Sequence, residues 1–244
     1  MFIPKSIKTQ LIIYLICFAL FLAVKDQDWR FLFVILIAVI SAVAIEACLS
    51  YFKTKILQIS ESAIITGLII GFVLSSDGQW WKFMLASFVA IISKYLIGFK
   101  KKHIFNPAAF GIFFTIIFLG AFTQWRGTYA WYILIPFGFY FAFKLKKIEV
   151  AIGYIIVSLV LFVAQAFLQK IHLGNIFGYF SYFYIFVMVV EPKTTPLKPL
   201  GKYIFGGAVA VLIFVLTETG VGFDVELLSL LAINVTVPLL NKLS

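Results

Sequence analysis

The sequence predicts an all-α polytopic membrane protein of about ten transmembrane helices, arranged as two inverted five-helix repeats in which some helices are short or broken. Three features indicate this fold class. The chain of 244 residues is 63% hydrophobic and only 12% charged, with a mean hydropathy of +1.09, whereas soluble domains are about half apolar and a quarter charged. Its apolar runs are continuous rather than alternating, which excludes a transmembrane barrel. Finally, its lysines are distributed unevenly among the polar breaks.

Ten apolar segments are separated by short polar breaks. Several are shorter than the roughly 20 residues that a bilayer-spanning helix needs. We expect 62–74, 107–122 and 176–190 to be tilted, broken or partly re-entrant, which requires burial in protein or an aqueous cavity. The ten segments are 7–24, 31–51, 62–74, 80–99, 107–122, 128–143, 150–168, 176–190, 200–217 and 225–240.

The lysines and arginines predict the orientation. With the N-terminus inside, all but five of the 20 cationic residues fall at cytoplasmic ends, as the positive-inside rule requires. The exceptions are Lys25, Arg30, Lys82, Arg126 and Lys170. We therefore expect a multi-pass protein with both termini in the cytoplasm. Membrane topology also explains the net charge of +10, so the composition does not indicate a nucleic-acid partner.

Ten spans divide into five plus five, which predicts repeats at 1–125 and 126–244. An odd number of spans per repeat places the two copies in opposite orientations. Interrupted segments at matching positions of inverted repeats are typical of a central binding site. The matching features are 75–78 with Asn106 and Pro107 in the first half, and 191–196 with Asn234 and Pro238 in the second.

Asn106 and Pro107 predict the start of a helix. Asn is a favoured N-cap residue, and Pro is best tolerated at the first helical position. Ala108, Ala109 and Gly111 keep this helix thin, so another backbone can lie close to it. The alternative to a functional site here is an ordinary cytoplasmic loop followed by a membrane helix.

Three other features each allow two interpretations. Glu46, a carboxylate at membrane depth, can contact a cation or proton, or bond a neighbouring helix. The loop 191–196 can bind a phosphate, a flavin edge or an ion, or can be a rigid turn. The stripe Ala63, Gly67 and Gly71 can pack a helix or a flat cofactor.

No metal site or catalytic residue is predicted. His103 and His172 are isolated histidines without clustered ligand spacing, and Cys17 and Cys48 lie in apolar runs without a CxxC pair. Glycine-rich nucleotide loops and a GxSxG elbow do not occur in the sequence.

The chain resembles the NqrB/RnfD family, the flavin-carrying membrane subunits of ion-pumping oxidoreductase complexes. Three stretches carry the resemblance: 66–111, with Phe105 to Ala109 as its most specific part, then 191–206, and finally 226–238. Glu46 also stands where the second span of the family tends to carry an acid.

The resemblance implies two inverted five-helix halves, a bound flavin (FMN or riboflavin), and electron transfer across the bilayer coupled to Na⁺ or H⁺ movement. It implies a prokaryotic inner membrane and, on the cytoplasmic face, other redox subunits or a flavoprotein or ferredoxin-reductase-type partner. Glu46 would contact the ion. The cofactor-binding residues would be Thr66, Gly67, Asn106, Pro107, Thr194, Thr195 and Asn234.

The family attaches FMN by a phosphoester to the threonine of a Ser-Gly-Ala-Thr motif. Thr128 stands in the corresponding loop, 123–128, but that motif is absent. We therefore expect non-covalent flavin rather than covalent FMN. The missing motif also motivates an alternative, a redox-inactive channel or carrier for a small solute on the same urea-transporter-like fold. A structural anchor for a soluble reductase is the third hypothesis.

Overall fold

The computed structural model describes residues 6–57, 59–99, 102–169 and 176–243, and these are predominantly helical. Four of the helices are long and apolar enough to cross a membrane, which confirms an all-α, multi-pass protein. The ten spans and the inverted repeats stay predictions. Lys170 and His172 lie outside the described residues. The four helices are Ile7–Asp26, Trp29–Thr54, Ile148–Gln169 and Pro199–Glu218.

The chain divides into two compact units, unit 1 (Met1–Gly127) and unit 2 (Thr128–Ser244). The described residues of unit 1 form five helices, and a two-residue antiparallel ladder between α4 and α5 pairs Gly98 with His103 and Phe99 with Lys102. Its elements are α1 (Ile7–Asp26), α2 (Trp29–Thr54), α3 (Glu61–Val73), α4 (Trp80–Leu96), β1 (Gly98–Phe99), β2 (Lys102–His103) and α5 (Pro107–Leu119).

Side-chain caps fix where four of these helices begin. The Asn106 side chain accepts a hydrogen bond from the Ala109 amide at 3.1 Å, with Pro107 at the first helical position, as predicted. Asp28 caps α2 in the same way by accepting from the Phe31 amide at 3.1 Å. Ser6 and Ser60 cap α1 and α3. Each cap satisfies an amide that has no partner inside its own helix.

Small residues set the packing of unit 1. A Cβ added to Gly67 would lie 2.5 Å from Val39 Cα, and one added to Gly111 would lie 2.2 Å from the carbonyl oxygen of Ala86. Helix α3 therefore packs directly on the backbone of α2, and α5 on that of α4. Ala63 lies in a buried cluster with Ala42 and Ile91, so the structure supports the helix-packing interpretation of the stripe.

Helices α3 and α5 are both short, with 13 residues each, or about 20 Å. Each runs into an extended segment, and the two segments pair with each other. The Ser75 amide donates to the Phe122 carbonyl at 2.9 Å, and the Arg126 amide donates to the Phe72 carbonyl at 2.8 Å. Backbone groups beyond the helix ends are thus satisfied within the protein, which irregular backbone at membrane depth requires.

Unit 2 contains two long helices and several short ones. The predicted segment 176–190 is broken into α8 and a π-helix, and 225–240 is broken ahead of Pro238, which cannot continue the helical hydrogen-bond pattern. The elements are α6 (Trp131–Lys144), α7 (Ile148–Gln169), α8 (Ile176–Tyr179), the π-helix Tyr184–Val189, α9 (Pro199–Glu218), α10 (Val225–Asn234) and α11 (Val237–Leu240).

The core of unit 2 is the close pair α7 and α9. A Cβ on Gly206 would lie 2.1 Å from the Val150 carbonyl oxygen, and one on Gly153 would lie 2.5 Å from the Tyr203 carbonyl oxygen. Glycine on both helices allows their backbones to touch, as in membrane helix pairs built from small residues.

Candidate functional site

Glu46, the predicted ion contact, lies in α2 and bonds two neighbouring elements of unit 1. Its Oε2 atom is 3.1 Å from Lys94 Nζ of α4, and its Oε1 atom accepts from the Ser60 hydroxyl at 2.8 Å. Lys94 also donates to the Ser62 hydroxyl at 3.4 Å. The carboxylate is therefore neutralised by a lysine on an adjacent helix. The structure provides the interhelical bond of the second interpretation, and the ion contact stays a prediction.

Thr66 and Gly67 lie in the middle of α3. The Thr66 hydroxyl is buried and donates to the Ser62 carbonyl one turn earlier, at 2.8 Å. Gly67 faces Val39 of α2 at backbone contact distance, so α2 covers this face of α3. Asn106 and Pro107 form the buried start of α5, which also packs on α3.

Thr194 and Thr195 are buried in the loop between the π-helix and α9. Both hydroxyls donate to Glu191: Thr194 to the carboxylate at 3.2 Å and Thr195 to the backbone carbonyl at 2.7 Å. Asn234, fully buried in α10, donates from Nδ2 to the Thr194 carbonyl at 3.0 Å. Unit 2 therefore brings three of the predicted residues together around one loop.

Two further residues hold this loop and were not among the predicted site residues. Lys147, which is 4% exposed, donates from Nζ to the carbonyls of Thr195 at 3.3 Å and Pro196 at 2.6 Å. The side chain of Asn241 accepts from the Leu197 amide at 2.8 Å. Lys147 stands in a run of lysines that the sequence predicts to be cytoplasmic, so its sequence context indicates a solvated residue and does not reveal its buried contacts.

A second ion pair, also not predicted, joins α7 to α9. Lys202 Nζ lies 3.1 Å from Glu149 Oε2, and both side chains are largely buried. It matches the Glu46–Lys94 pair in distance and in joining two helices of one unit. The signal available from sequence is a lysine placed one turn inside an apolar helix.

Arg126 is the centre of a third charged cluster, at the paired extended segments of unit 1. Its guanidinium pairs with Asp28, lies 3.5 Å from Asp26 and donates to the Ser76 hydroxyl at 2.8 Å. It also lies over the Phe31 ring, 5.1 Å from the centroid. The predicted orientation places Asp26, Asp28 and Arg126 on the same, outer side of the membrane. This shared location is the sequence feature that could have indicated the pairing.

Among the residues that the structure describes, no group of three histidine, cysteine or acidic side chains could hold a metal ion. The polar groups of the candidate residues are hydroxyls, amides and a lysine–carboxylate pair, which can bind and orient a ligand or an ion.

The model of the NQR2, RnfD, RnfE family matches residues 4–129, which is more than half of the chain. The chain belongs to this family. The resemblance inferred from the sequence is thereby confirmed. The family match ends two residues beyond the last residue of unit 1, so the matched part of the chain nearly coincides with this compact unit. Glu46, Thr66, Gly67, Asn106 and Pro107 all lie within it.

Three curated relatives share this similarity, and each is named as the D component of an ion-translocating oxidoreductase complex. The one from Citrobacter koseri is 34% identical over 127 residues, 48% of this chain and 36% of the relative. The one from Escherichia fergusonii is 31% identical over 139 residues, 53% of this chain and 39% of the relative. The one from Rhodobacter capsulatus is 34% identical over 87 residues, 34% of this chain and 24% of the relative. The chain thus aligns with less than two fifths of the length of these relatives.

Proposed function

We propose that this protein is a membrane subunit of an ion-translocating oxidoreductase complex and passes electrons across the bilayer. The observation that carries the proposal is the family match over residues 4–129, which coincides with a compact helical unit. The names of the relatives and the four membrane-length helices support it. Other redox subunits, or a flavoprotein or ferredoxin-reductase-type protein on the cytoplasmic face, would be its partners.

The proposed topology is ten spans in two inverted repeats, with both termini on the cytoplasmic side of a prokaryotic inner membrane. The lysine distribution supports it. In this topology the C-terminal ends of α2 and α4 and the N-terminal ends of α7 and α9 are all cytoplasmic. The pairs Glu46–Lys94 and Glu149–Lys202 lie toward those ends, so both would be on the lysine-rich side of the membrane. Cysteine labelling from each side of sealed vesicles tests it, and labelling of the two termini from opposite sides would reject it.

The proposed cofactor is a flavin held without a covalent bond. Thr194, Thr195 and Asn234 cluster around one loop, and Thr66, Gly67, Asn106 and Pro107 are the proposed contacts in unit 1. A threonine hydroxyl that donates one hydrogen bond still has acceptor capacity, so the clustered hydroxyls remain suited to a polar ring edge. The flavin would supply the redox chemistry, and the protein would bind it, orient it and exclude water.

Attachment through a phosphoester does not fit this chain. The Ser-Gly-Ala-Thr motif is absent, and the Oγ1 atom of Thr128 is buried. A bulky phosphate on that oxygen would require the surrounding loop to open. The flavin proposal therefore rests on reversible binding alone.

The flavin proposal is tested by purifying the full chain and measuring visible flavin absorbance, before and after adding riboflavin or FMN. We expect a yellow preparation whose colour is lost on dialysis or denaturation. Thr194→Val combined with Thr195→Val should weaken flavin binding, whereas Thr217→Val, an exposed threonine of α9, should not. A colourless protein that takes up neither flavin would overturn the proposal.

For ion coupling, we propose that Glu46 contacts Na⁺ or H⁺. Lys94 Nζ lies at the carboxylate, in the position that a bound cation would take, so ion binding requires this lysine to move. Lys94→Met should therefore make thermal stability depend more strongly on Na⁺ than in the wild type, and Glu46→Gln/Lys94→Met should abolish the difference. A Lys94→Met variant that is insensitive to Na⁺ and to pH would exclude the ion contact.

A second candidate function is favoured by the missing attachment motif and the buried Thr128 hydroxyl. On this alternative, the protein is a redox-inactive channel or carrier for a small solute. Proteoliposomes containing the chain alone would then take up a solute such as urea or riboflavin without an electron donor. Electron transfer across the same vesicles, without such uptake, would favour the redox function.

A further inference from the structure

We propose that one end of unit 2 binds the headgroups of anionic phospholipids. The site is formed by three loops that contact one another: 144–147 between α6 and α7, 191–198 before α9, and 237–243 around α11. Exposed lysines on these loops form what we call the lysine surface. Its members are Lys144, Lys146, Lys193, Lys198 and Lys242.

Buried contacts fix the three loops to each other. Lys147 bonds the first loop to the carbonyls of Thr195 and Pro196 in the second. Asn241 of the third accepts from the Leu197 amide of the second, and a Cβ on Gly201 would lie 2.8 Å from the Leu240 carbonyl oxygen. The backbone beneath the lysine surface is therefore preorganised, which lowers the entropy cost of binding.

The charge of this end of unit 2 is strongly positive. The stretches 144–149, 191–202 and 237–243 contain seven lysines and two glutamates. Both glutamates are already engaged, Glu149 with Lys202 and Glu191 with the Thr194 hydroxyl. The lysine surface thus presents a net positive charge, which complements the phosphate of an anionic lipid.

Exposed apolar side chains on these loops and on the adjoining last turn of α6 indicate lipid rather than an acidic protein. Phe143 is 66% exposed, Leu197 59% and Leu239 63%. Apolar side chains next to lysines suit a bilayer interface, where the former enter the acyl region and the ammonium groups extend to the headgroups. An acidic soluble partner would match the lysines but not these side chains. Basic surfaces at membrane helix ends bind anionic lipids in this way.

The test compares retention of phosphatidylglycerol and phosphatidylcholine by the purified full chain, using native mass spectrometry at fixed lipid concentration. The wild type should retain phosphatidylglycerol preferentially. A cationic residue near a membrane surface changes binding by about fivefold at low salt. The variant Lys144→Gln/Lys146→Gln/Lys193→Gln/Lys198→Gln should therefore lose at least about tenfold of the preference.

The matched control replaces four exposed lysines of unit 1, as Lys8→Gln/Lys25→Gln/Lys53→Gln/Lys55→Gln. Because Lys8 and Lys25 stand at opposite ends of α1, these four do not form one surface, and the control should lose clearly less of the preference than the first variant. If the first variant fails to insert, the wild type still provides a test, because its preference should fall as salt is raised. Equal retention of the two lipids, equal losses in both variants, or a preference unaffected by salt would overturn the proposal. So would capture of an acidic complex subunit in place of lipid.

Discussion

Lys94 Nζ of α4 lies 3.1 Å from Glu46 Oε2 of α2, and both side chains are largely shielded from solvent. Serine hydroxyls of the α3 start surround the pair: Ser60 donates to Glu46, and Ser62 accepts from Lys94. The pair therefore joins three helices of unit 1 at one point. A buried charge whose partner is removed is costly, whereas removing both charges can be nearly neutral.

Replacing one partner of this pair should destabilise unit 1 more than replacing both. We expect Glu46→Gln or Lys94→Met to cost about 3–5 kcal/mol and the double variant to cost less than either, as a double-mutant cycle measures. The measurement is reversible unfolding in mixed detergent micelles. Lys53→Gln is the control. Lys53 is an exposed lysine near the C-terminal end of α2, and its Nζ lies 5.9 Å from the Tyr95 ring centroid. A double variant as unstable as the sum of the singles would contradict this account.

Replacing Arg126 should destabilise unit 1 even when the new residue is lysine. Its guanidinium contacts two aspartates, the Ser76 hydroxyl and the face of Phe31, and a lysine ammonium cannot reproduce this planar, forked geometry. We expect Arg126→Lys and Arg126→Met both to lower the melting temperature clearly. Arg30→Lys should have little effect, because Arg30 is exposed and its contacts among the described residues are the carbonyls of Asp77 and Gly78. Full stability of Arg126→Lys would show that charge alone suffices.

Replacing glycine by alanine should destabilise the protein at close helix contacts and leave its stability unchanged at open positions. Gly111→Ala and Gly206→Ala each place a Cβ about 2.2 Å or less from a backbone oxygen of the neighbouring helix, and such overpacking costs about 1–3 kcal/mol. Gly222→Ala adds a Cβ with nothing within 4 Å and serves as the control. The same unfolding assay applies. Equal stabilities for all three would mean that the helices lie farther apart than described.

Lys147 should protect the loop 191–198 from cleavage. Removing its bonds to the Thr195 and Pro196 carbonyls with Lys147→Met should loosen the loop, so trypsin should cut faster after Lys193. Lys146→Met is the adjacent control, because Lys146 is exposed. The measurement is the rate at which the peptide ending at Lys193 appears by mass spectrometry. Unchanged cleavage in Lys147→Met would show that Asn234 and Asn241 hold the loop without it.

The helical class, the cap at Asn106 and the packing of Gly67 can be predicted from sequence because each depends on local chemistry. The breaks in 176–190 and 225–240 follow from short length and from Pro238, also local features. The cluster of Thr194, Thr195 and Asn234 is partly predictable, since the two threonines stand in a polar, proline-bounded loop and Asn234 is a polar residue in an apolar run. That they bind a flavin stays a prediction.

The partners of these residues are not predictable from local sequence. Lys94, Lys147 and Lys202 all stand at helix ends, where the positive-inside rule already accounts for lysine. Their ion pairs and carbonyl contacts depend on which helices become neighbours. For Lys94 and Glu46 those neighbours are separated by 48 positions, so only the folded unit identifies them.

The bond between Arg126 and Asp28 spans 98 positions of the chain. During synthesis, the first two helices enter the membrane long before Arg126 leaves the ribosome. Until it does, Asp28 lacks its guanidinium, and the extended segment after α3 lacks the strand that pairs with it. Unit 1 should therefore remain an open intermediate until its last residues have left the ribosome, and a released chain truncated after Leu119 should be far more sensitive to membrane proteases than one truncated after Gly127.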